Sequence, residues 1–409
     1  MMNPWRGLSG LPRASYLIAL ATFINRAGVM VRPFLMLYLT KSLGFSDAAA
    51  GWIIALYGAT VLVAAPLSGW LTDRLGARVV LRSSLMLAAL AMLAYPLAHG
   101  IAGIAAATVV FALFNEMPRP ALMTLVAEVA PVRLRKQAFV LSRLAINLGL
   151  SIGPAIGGQL AQHSYVALFL VDAGASLAAA LVLLRMQLPA AAAQSRPTGS
   201  ALSLLASDRA LLIFFAATVL NAMVFFQHES TMSLFMTRDL NLTENAYGLM
   251  FTLNTLLIVF LEVELNTRLA HWSHRRSLVV GAFLVSVGFG SLVFAHGWLG
   301  VALTVVVWTF GEMIAMPAMS AFVVDLAAPD RRGLYMGTLT LAFGAGLTLG
   351  PKLGTLLMQH SGAARLWLAG GVVGLLSTAL YACLPRRSAV PGAPEVAAAS
   401  EAALDTVRE

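Results

Sequence analysis

The chain reads as a succession of long apolar stretches, each stopped by a short cluster of glycine, proline or charged residues. A helix needs about 20 predominantly apolar residues to cross the hydrocarbon core of a bilayer. Stretches of that length predict spans over 15–40, 48–72, 79–98, 101–128, 136–162 and 164–187, then 210–236, 245–269, 277–296, 299–325, 333–359 and 363–384. Between the sixth and seventh, residues 188–208 carry Pro189, a run of alanines, Arg196, Pro197 and Gly199, which is the composition of a linker. Residues 386–409 turn Ala/Glu-rich and predict a disordered tail.

The pattern is stated twice, 197 positions apart. Leu37-Tyr38-Leu39-Thr40-Lys41 is answered by Leu234-Phe235-Met236-Thr237-Arg238, and Gly51 by Gly248. Pro120 with Glu128 is answered by Pro317 with Asp325, Gly153-Pro154 by Gly350-Pro351, and Gln162-His163-Ser164 by Gln359-His360-Ser361. One constant offset across separated blocks means two halves with the same order of elements and almost no insertions. The expectation is an all-α membrane protein of twelve transmembrane helices in two pseudo-symmetric six-helix bundles, 1–187 and 209–385. Its substrate would sit between the halves near the middle of the membrane.

Composition narrows this further. The chain has 409 residues, 59% apolar and 11% charged, against about 25% charged in soluble domains. The net charge of +9 invites a nucleic-acid reading until the charges are located. With the N-terminus inside, 19 of the 27 Lys and Arg residues fall in cytoplasmic loops and termini, and only Lys41, Arg238 and Arg365 on the other side. That asymmetry places both termini in the cytoplasm and excludes nucleic acid as a partner. Arg26, Arg32, Arg119, Arg143 and Lys352 fall inside spans. Cys383 is the single cysteine, so no internal disulfide or multi-thiolate metal site is expected. The seven histidines are scattered without ligand spacing, no nucleophile–base cluster is visible, and no phosphate-binding glycine loop is present. Neither an enzyme nor a resident cofactor is expected. No small-residue cleavage site follows the first apolar run, which is read as a retained helix.

Two motifs carry a resemblance. Gly69-Trp-Leu-Thr-Asp73-Arg74-Leu-Gly76-Ala-Arg78, between the second and third spans, resembles the G-x-x-x-D-R-x-G-R/K signature of the major facilitator superfamily. Gly149-Leu-Ser-Ile-Gly153-Pro154-Ala-Ile-Gly157-Gly158, in the fifth span, resembles the G-x-x-x-G-P-x-x-G-G pattern of that superfamily's drug:proton antiporters. The resemblance implies gating roles for Gly69, Asp73, Arg74, Gly76 and Arg78, and for Gly149, Gly153, Pro154 and Gly157. Glycines four apart let helix backbones approach, and Pro154 permits a kink. Together they are expected to form a bendable seam between the halves, against the plainer reading of ordinary helix packing. The fourth-span segment Asn115-Glu116-Met117-Pro118-Arg119-Pro120 resembles the acid-x-x-R-x segment of the superfamily's multidrug-resistance members, which implies a part in proton coupling for Arg119. It lacks the glycines that follow the arginine in the family's usual fourth-span pattern.

Ionisable residues inside spans are costly and face a partner or water. Glu116 and Glu312 sit midway along the fourth and tenth spans. A carboxyl that alternates between dry and wet surroundings can take up and release a proton near neutral pH, so both are candidate proton carriers. The other reading makes Glu116 a structural ion pair with Arg119 or Arg143. Glu229, beside His228 in the seventh span, is a third candidate. Arg26 is read as a counter-charge for Glu116 or as an anchor for an anionic substrate. Arg143, with Asn147 one turn away, is expected to serve as a gate or structural pair, and Glu262 and Glu264 to pair with Arg268 or its loop. Asp172 has no evident partner. Asn25, Phe34, Tyr38, Asn147, Asn221, Phe225 and Asn254 are candidate substrate contacts on spans that line the cavity in this superfamily.

These expectations lead to a monomeric inner-membrane exporter, embedded in lipid, exchanging protons for lipophilic or cationic drug-like molecules by alternating access. The competing reading is a proton symporter importing a small solute such as a peptide, sugar or organic acid.

Overall fold

The computed structural model describes residues 10–131, 134–186, 208–327 and 332–385. The expected linker and tail therefore lie outside the described residues, apart from Asp208. Among the described residues, twelve helices are long and apolar enough to cross a membrane: Arg13–Ser42, Asp47–Leu75, Ala77–Leu97, Gly100–Val129, Gln137–His163 and Tyr165–Leu184, then Arg209–Asp239, Glu244–Arg268, His274–Phe294, Gly297–Leu326, Leu334–Ser361 and Ala363–Ala382. They are called spans 1 to 12. Odd and even spans run in opposite directions, so the described ends of the chain lie together at one end of the molecule, here the proximal end. The other end is distal.

The repeat reaches details of backbone. Spans 1 and 7 both end in a π-helical turn, Tyr38–Ser42 and Phe235–Asp239. Both are also broken midway. In span 1 the helix stops at Ala27 and restarts at Val31. In span 7 it passes through a 3-10 turn, Phe226–Glu229, before restarting at Thr231. Irregular backbone at membrane depth must have its polar groups satisfied by protein. Asp172 on span 6 does this for span 1, its Oδ2 accepting from the backbone N–H groups of Met30 (3.2 Å) and Val31 (3.3 Å). Gln227 does it for span 7, donating to Met223 O and Gly350 O and accepting from Thr231. The Tyr247 hydroxyl lies 3.1 Å from Pro33 O and 2.8 Å from His228 O, tying both breaks to span 8.

Spans 1–6 and 7–12 each form a bundle, and the bundles meet along two seams, span 5 with span 8 and span 2 with span 11. A shared apolar core joins the distal halves of both bundles, drawing Phe34, Tyr57 and Phe111 from the first and Tyr247, Phe289 and Trp308 from the second. Toward the proximal end the core divides, one part inside each bundle. The span 2–span 11 seam shows the same gradient. A Cβ on Gly51 would meet Thr355, one on Gly58 would meet Thr348, and one on Gly344 would meet Leu62, all under 3 Å. Nearer the proximal end, Gly69 and Gly337 have nothing within 4 Å. The molecule is sealed distally and parted proximally.

The glycines of span 5 do not form the expected seam between bundles. Gly149, Gly153 and Gly157 face span 1 of their own bundle, where a Cβ would meet Arg26 and Ala27, then Val29, then Met30 and Phe34. Gly158, the Pro154 carbonyl and the Ser151 carbonyl do reach the other bundle, against Asn245, Gly248 and the Thr252 hydroxyl respectively. The motif mainly seats the break in span 1. Gly76 alone joins spans 2 and 3, at φ +84°, where other residues are strained.

Candidate functional site

A charge cluster sits where the two breaks face each other. Arg32, at the restart of span 1, reaches into the opposite bundle: its Nε donates to Glu229 Oε2 at 2.9 Å. Its Nη1 lies 3.6 Å from Glu116 Oε1 on span 4. Both carboxylates are about one-seventh exposed or less. The Tyr57 hydroxyl on span 2 donates to the same Glu116 oxygen at 2.7 Å and accepts from Asn115 at 2.8 Å. Glu116 holds this position because the helix of span 4 ends on it and restarts at Pro118. Pro118 cannot donate, and Ser68 answers the Met117 carbonyl at 2.7 Å.

Arg32 is the centre that the sequence pattern did not single out. It and Glu229 stand 197 residues apart, at equivalent positions of the two repeats, with opposite charges. Arg119 and Arg143 are not the partners of Glu116, and Arg26 is not its counter-charge within ion-pair distance. Arg32 fills that role because the break turns its side chain toward both acids. His228 and Glu229, which would diverge on an α-helix, stand 3.6 Å apart across the 3-10 turn. Rings of Phe225, Phe226, Phe251 and Trp308 surround His228.

In the second bundle Asn254 donates to Glu312 (2.8 Å) and to Thr309 (3.0 Å). Asn254 and Glu312 are the repeat equivalents of Tyr57 and Asn115, so one span 2–span 4 contact is built twice with different chemistry. On the proximal side, Arg143 pairs with Glu262 across the span 5–span 8 seam. The expectation that Glu262 would pair with Arg268 is thereby corrected, while Glu264 does pair with Arg268.

The remaining candidates separate by depth. Phe34 is fully buried and packs edge-on against Tyr247, and Tyr38 packs among Tyr95, Tyr165 and Phe169. Both are shut inside the distal core and offer no surface to a substrate in this conformation. Asn25 donates to Ser176. Asn221 is buried with its Nδ2 unpaired, Asn147 is half-buried on span 5, and Phe225 packs on Trp308. Arg26 lines a narrow cleft in the first bundle with Asn25 and Thr22. Arg119 is exposed. Arg74 lies over the Trp70 ring, and Asp73 is exposed while Arg78 is half-buried.

Two further ion pairs cross between the bundles at the distal rim. Lys41 pairs with Glu244 at 2.7 Å, and Arg238 with Asp47 at 2.6 Å. The two cations are repeat equivalents on the π turns, and the two acids stand at the starts of spans 8 and 2. Each pair is the image of the other, as an isologous contact requires. Tyr165 also donates to Glu244.

The family model for the Major Facilitator Superfamily matches residues 18–237 and 214–407, one match for each half. The chain belongs to the major facilitator superfamily. It is 26% identical over 378 residues to the uncharacterized transporter YttB of Bacillus subtilis, covering 90% of this chain and 94% of that one. It is 27% identical over 379 residues to the multidrug resistance protein MdtH of Aeromonas hydrophila, covering 90% and 92%. A solved POT family transporter in complex with a thioalcohol-conjugated peptide superposes with a TM-score of 0.78 at 16% identity, covering 92% and 97%. That likeness speaks to the fold alone.

Proposed function

We propose that this superfamily member exports lipophilic, drug-like small molecules in exchange for protons, from an inner membrane with both termini in the cytoplasm. The Arg32 bridge from Glu116 to Glu229 carries this reading. The name of the MdtH relative supports the substrate class, and the Lys/Arg bias of the loops supports the orientation. One chain holds both halves of the site, so a monomer suffices, and exposed apolar residues such as Phe260, Val263 and Leu303 face lipid.

With the proximal end cytoplasmic, the structure is the inward-facing state. The Arg32–Glu229 pair and the two rim pairs hold the outer side shut. An ion pair needs an ionised carboxyl, so forming the Arg32–Glu229 contact and releasing the proton are one event. Opening the outer side pulls Glu229 from Arg32 and exposes it to outside water, where it takes a proton. Closure with a neutral Glu229, followed by release of that proton inside as the ion pair with Arg32 re-forms, completes the inward leg. The downhill proton entry supplies the free energy by which bound substrate is carried outward on the return.

The test is transport in proteoliposomes under an imposed pH gradient. Solute movement against the direction of proton flow supports export, and movement with the protons supports the symport reading instead. Glu229→Gln should lose gradient-driven transport by about a hundredfold while keeping substrate exchange at equal pH. Full gradient-driven transport by both Glu229→Gln and Glu116→Gln would refute the coupling role.

A further inference from the structure

We propose that Lys352 and Trp52 hold the phosphate of an anionic phospholipid on the membrane-facing flank of the span 2–span 11 seam, and that this lipid clasps the two bundles while the distal end is shut. The ligand is part of the surrounding bilayer rather than the cargo, whichever way solute and protons move.

Lys352 lies inside span 11, at a depth where an ammonium needs an acceptor or water. Among the described residues its Nζ has neither a carboxylate partner nor a hydrogen-bond acceptor. It lies instead over the Trp52 ring of span 2, 3.5 Å from the centroid. A ring face attracts the charge without satisfying the three N–H donors of an ammonium. The lysine is half-buried and the tryptophan 55% exposed, so the stem is packed and the pair looks out from the seam into the bilayer. Asp47, at the start of span 2, is held by Arg238.

Depth identifies the acceptor. Span 2 has 29 residues, about 43 Å of helix, so about 6 Å emerges at each end from a hydrocarbon layer of about 30 Å. Trp52 lies near the start of that span, about 7 Å from its distal end. The ring and the ammonium over it therefore stand at the boundary between acyl chains and headgroups, where tryptophan is enriched and phosphate oxygens are the anionic acceptors at hand. An anionic lipid suits the lysine better than a zwitterionic one, whose own ammonium it would repel. One turn nearer the rim, Gln359 of span 11 accepts from the Ala48 N–H at 3.0 Å, and its amide nitrogen has no partner among the described residues. Two unanswered donors thus flank consecutive turns of span 2. Toward mid-membrane the flank continues in Val63 and Leu349, 61% and 40% exposed, which offer apolar surface to an acyl chain.

The repeat supplies an internal control. At the span 5–span 8 seam the equivalent positions are Ala155 and Leu249, and that seam closes without a cation or a ring there. Packing of a seam therefore does not call for Lys352 or Trp52. The two residues belong to different bundles, so their site is whole only while the distal seam is shut. By linkage, a lipid bound there favours that conformation.

The probe is dioleoyl phosphatidylglycerol, with zwitterionic dioleoyl phosphatidylcholine as control, added to the purified full-length protein in detergent and counted molecule by molecule by native mass spectrometry. The first phosphatidylglycerol should bind about tenfold tighter than the first phosphatidylcholine, the gain expected of one charge-assisted contact. Lys352→Gln should remove most of that preference, Trp52→Leu should weaken it, and Lys352→Arg should preserve it. An unchanged preference in folded Lys352→Gln would overturn the site. Equal affinities of the unsubstituted protein for the two lipids would do so even where Lys352→Gln does not fold. Displacement of the lipid by millimolar inorganic phosphate would assign the site to a free anion and overturn it as a lipid site. The clasp is read by maleimide labelling of Phe34→Cys in a Cys383→Ser background, because position 34 is fully buried while the distal end is shut. Labelling should be about threefold slower in phosphatidylglycerol nanodiscs than in phosphatidylcholine ones, and Lys352→Gln should abolish the difference. Equal rates in the two lipids with Lys352 in place would refute the clasp.

Discussion

At the scale of single residues, the molecule turns on the geometry of one guanidinium. Arg32 answers two carboxylates on different spans at 2.9 and 3.6 Å, which a planar fork can do and an ammonium does poorly. Arg32→Lys should therefore keep the fold and retain a fraction of gradient-driven transport, while Arg32→Gln should lose about a hundredfold. Proteoliposome flux alongside thermal unfolding separates these effects from instability. The acids themselves were legible in the sequence, because carboxylates inside apolar spans are conspicuous. Their partner was not, since pairing across two bundles depends on where the chain breaks. A signal was nevertheless present: Arg32 and Glu229 occupy the same repeat position with opposite charge.

At the scale of elements, broken spans are held by groups on neighbouring helices, and glycine sets how close those helices come. A side chain at position 149 would press on Arg26 and the Ala27 backbone, whereas position 69 is open. Gly149→Val should cost about 1–3 kcal/mol of stability and lower the melting midpoint in detergent, while Gly69→Ala should leave it unchanged. Asp172→Asn keeps an oxygen for the Met30 and Val31 N–H groups and should be tolerated. Asp172→Leu leaves two buried donors unanswered and should destabilise markedly in the same assay. The glycine spacing of span 5 was plain in the sequence, yet spacing names a close approach without naming the partner. That is why an expected seam between bundles proved to be mainly a seat for span 1.

At the scale of the whole molecule, two bundles share one distal core and keep separate proximal cores. The rim pairs Lys41–Glu244 and Arg238–Asp47 add a small bias to that closure, each worth about 0.2–1 kcal/mol where partly solvated. Charge reversal of Lys41 to Glu should shift the population toward a distally open form, and adding Glu244→Lys should restore it. The readout is maleimide labelling of Phe34→Cys in a Cys383→Ser background, since position 34 is fully buried while the distal end is shut. Faster labelling in the single variant and recovery in the double are expected. Unchanged labelling in both would remove the rim pairs from the closing device.

The sequence by itself determined the twelve spans, the duplication and the presence of charge inside the membrane. Each of these is a local property, settled by whether some 20 residues can satisfy their own backbone in lipid. Tertiary structure alone decided which charges meet and which end is sealed. Those outcomes depend on breaks in spans 1 and 7 and on contacts between residues nearly two hundred positions apart. No periodicity encodes them, because a helix pattern says which face is apolar and leaves open what that face will touch.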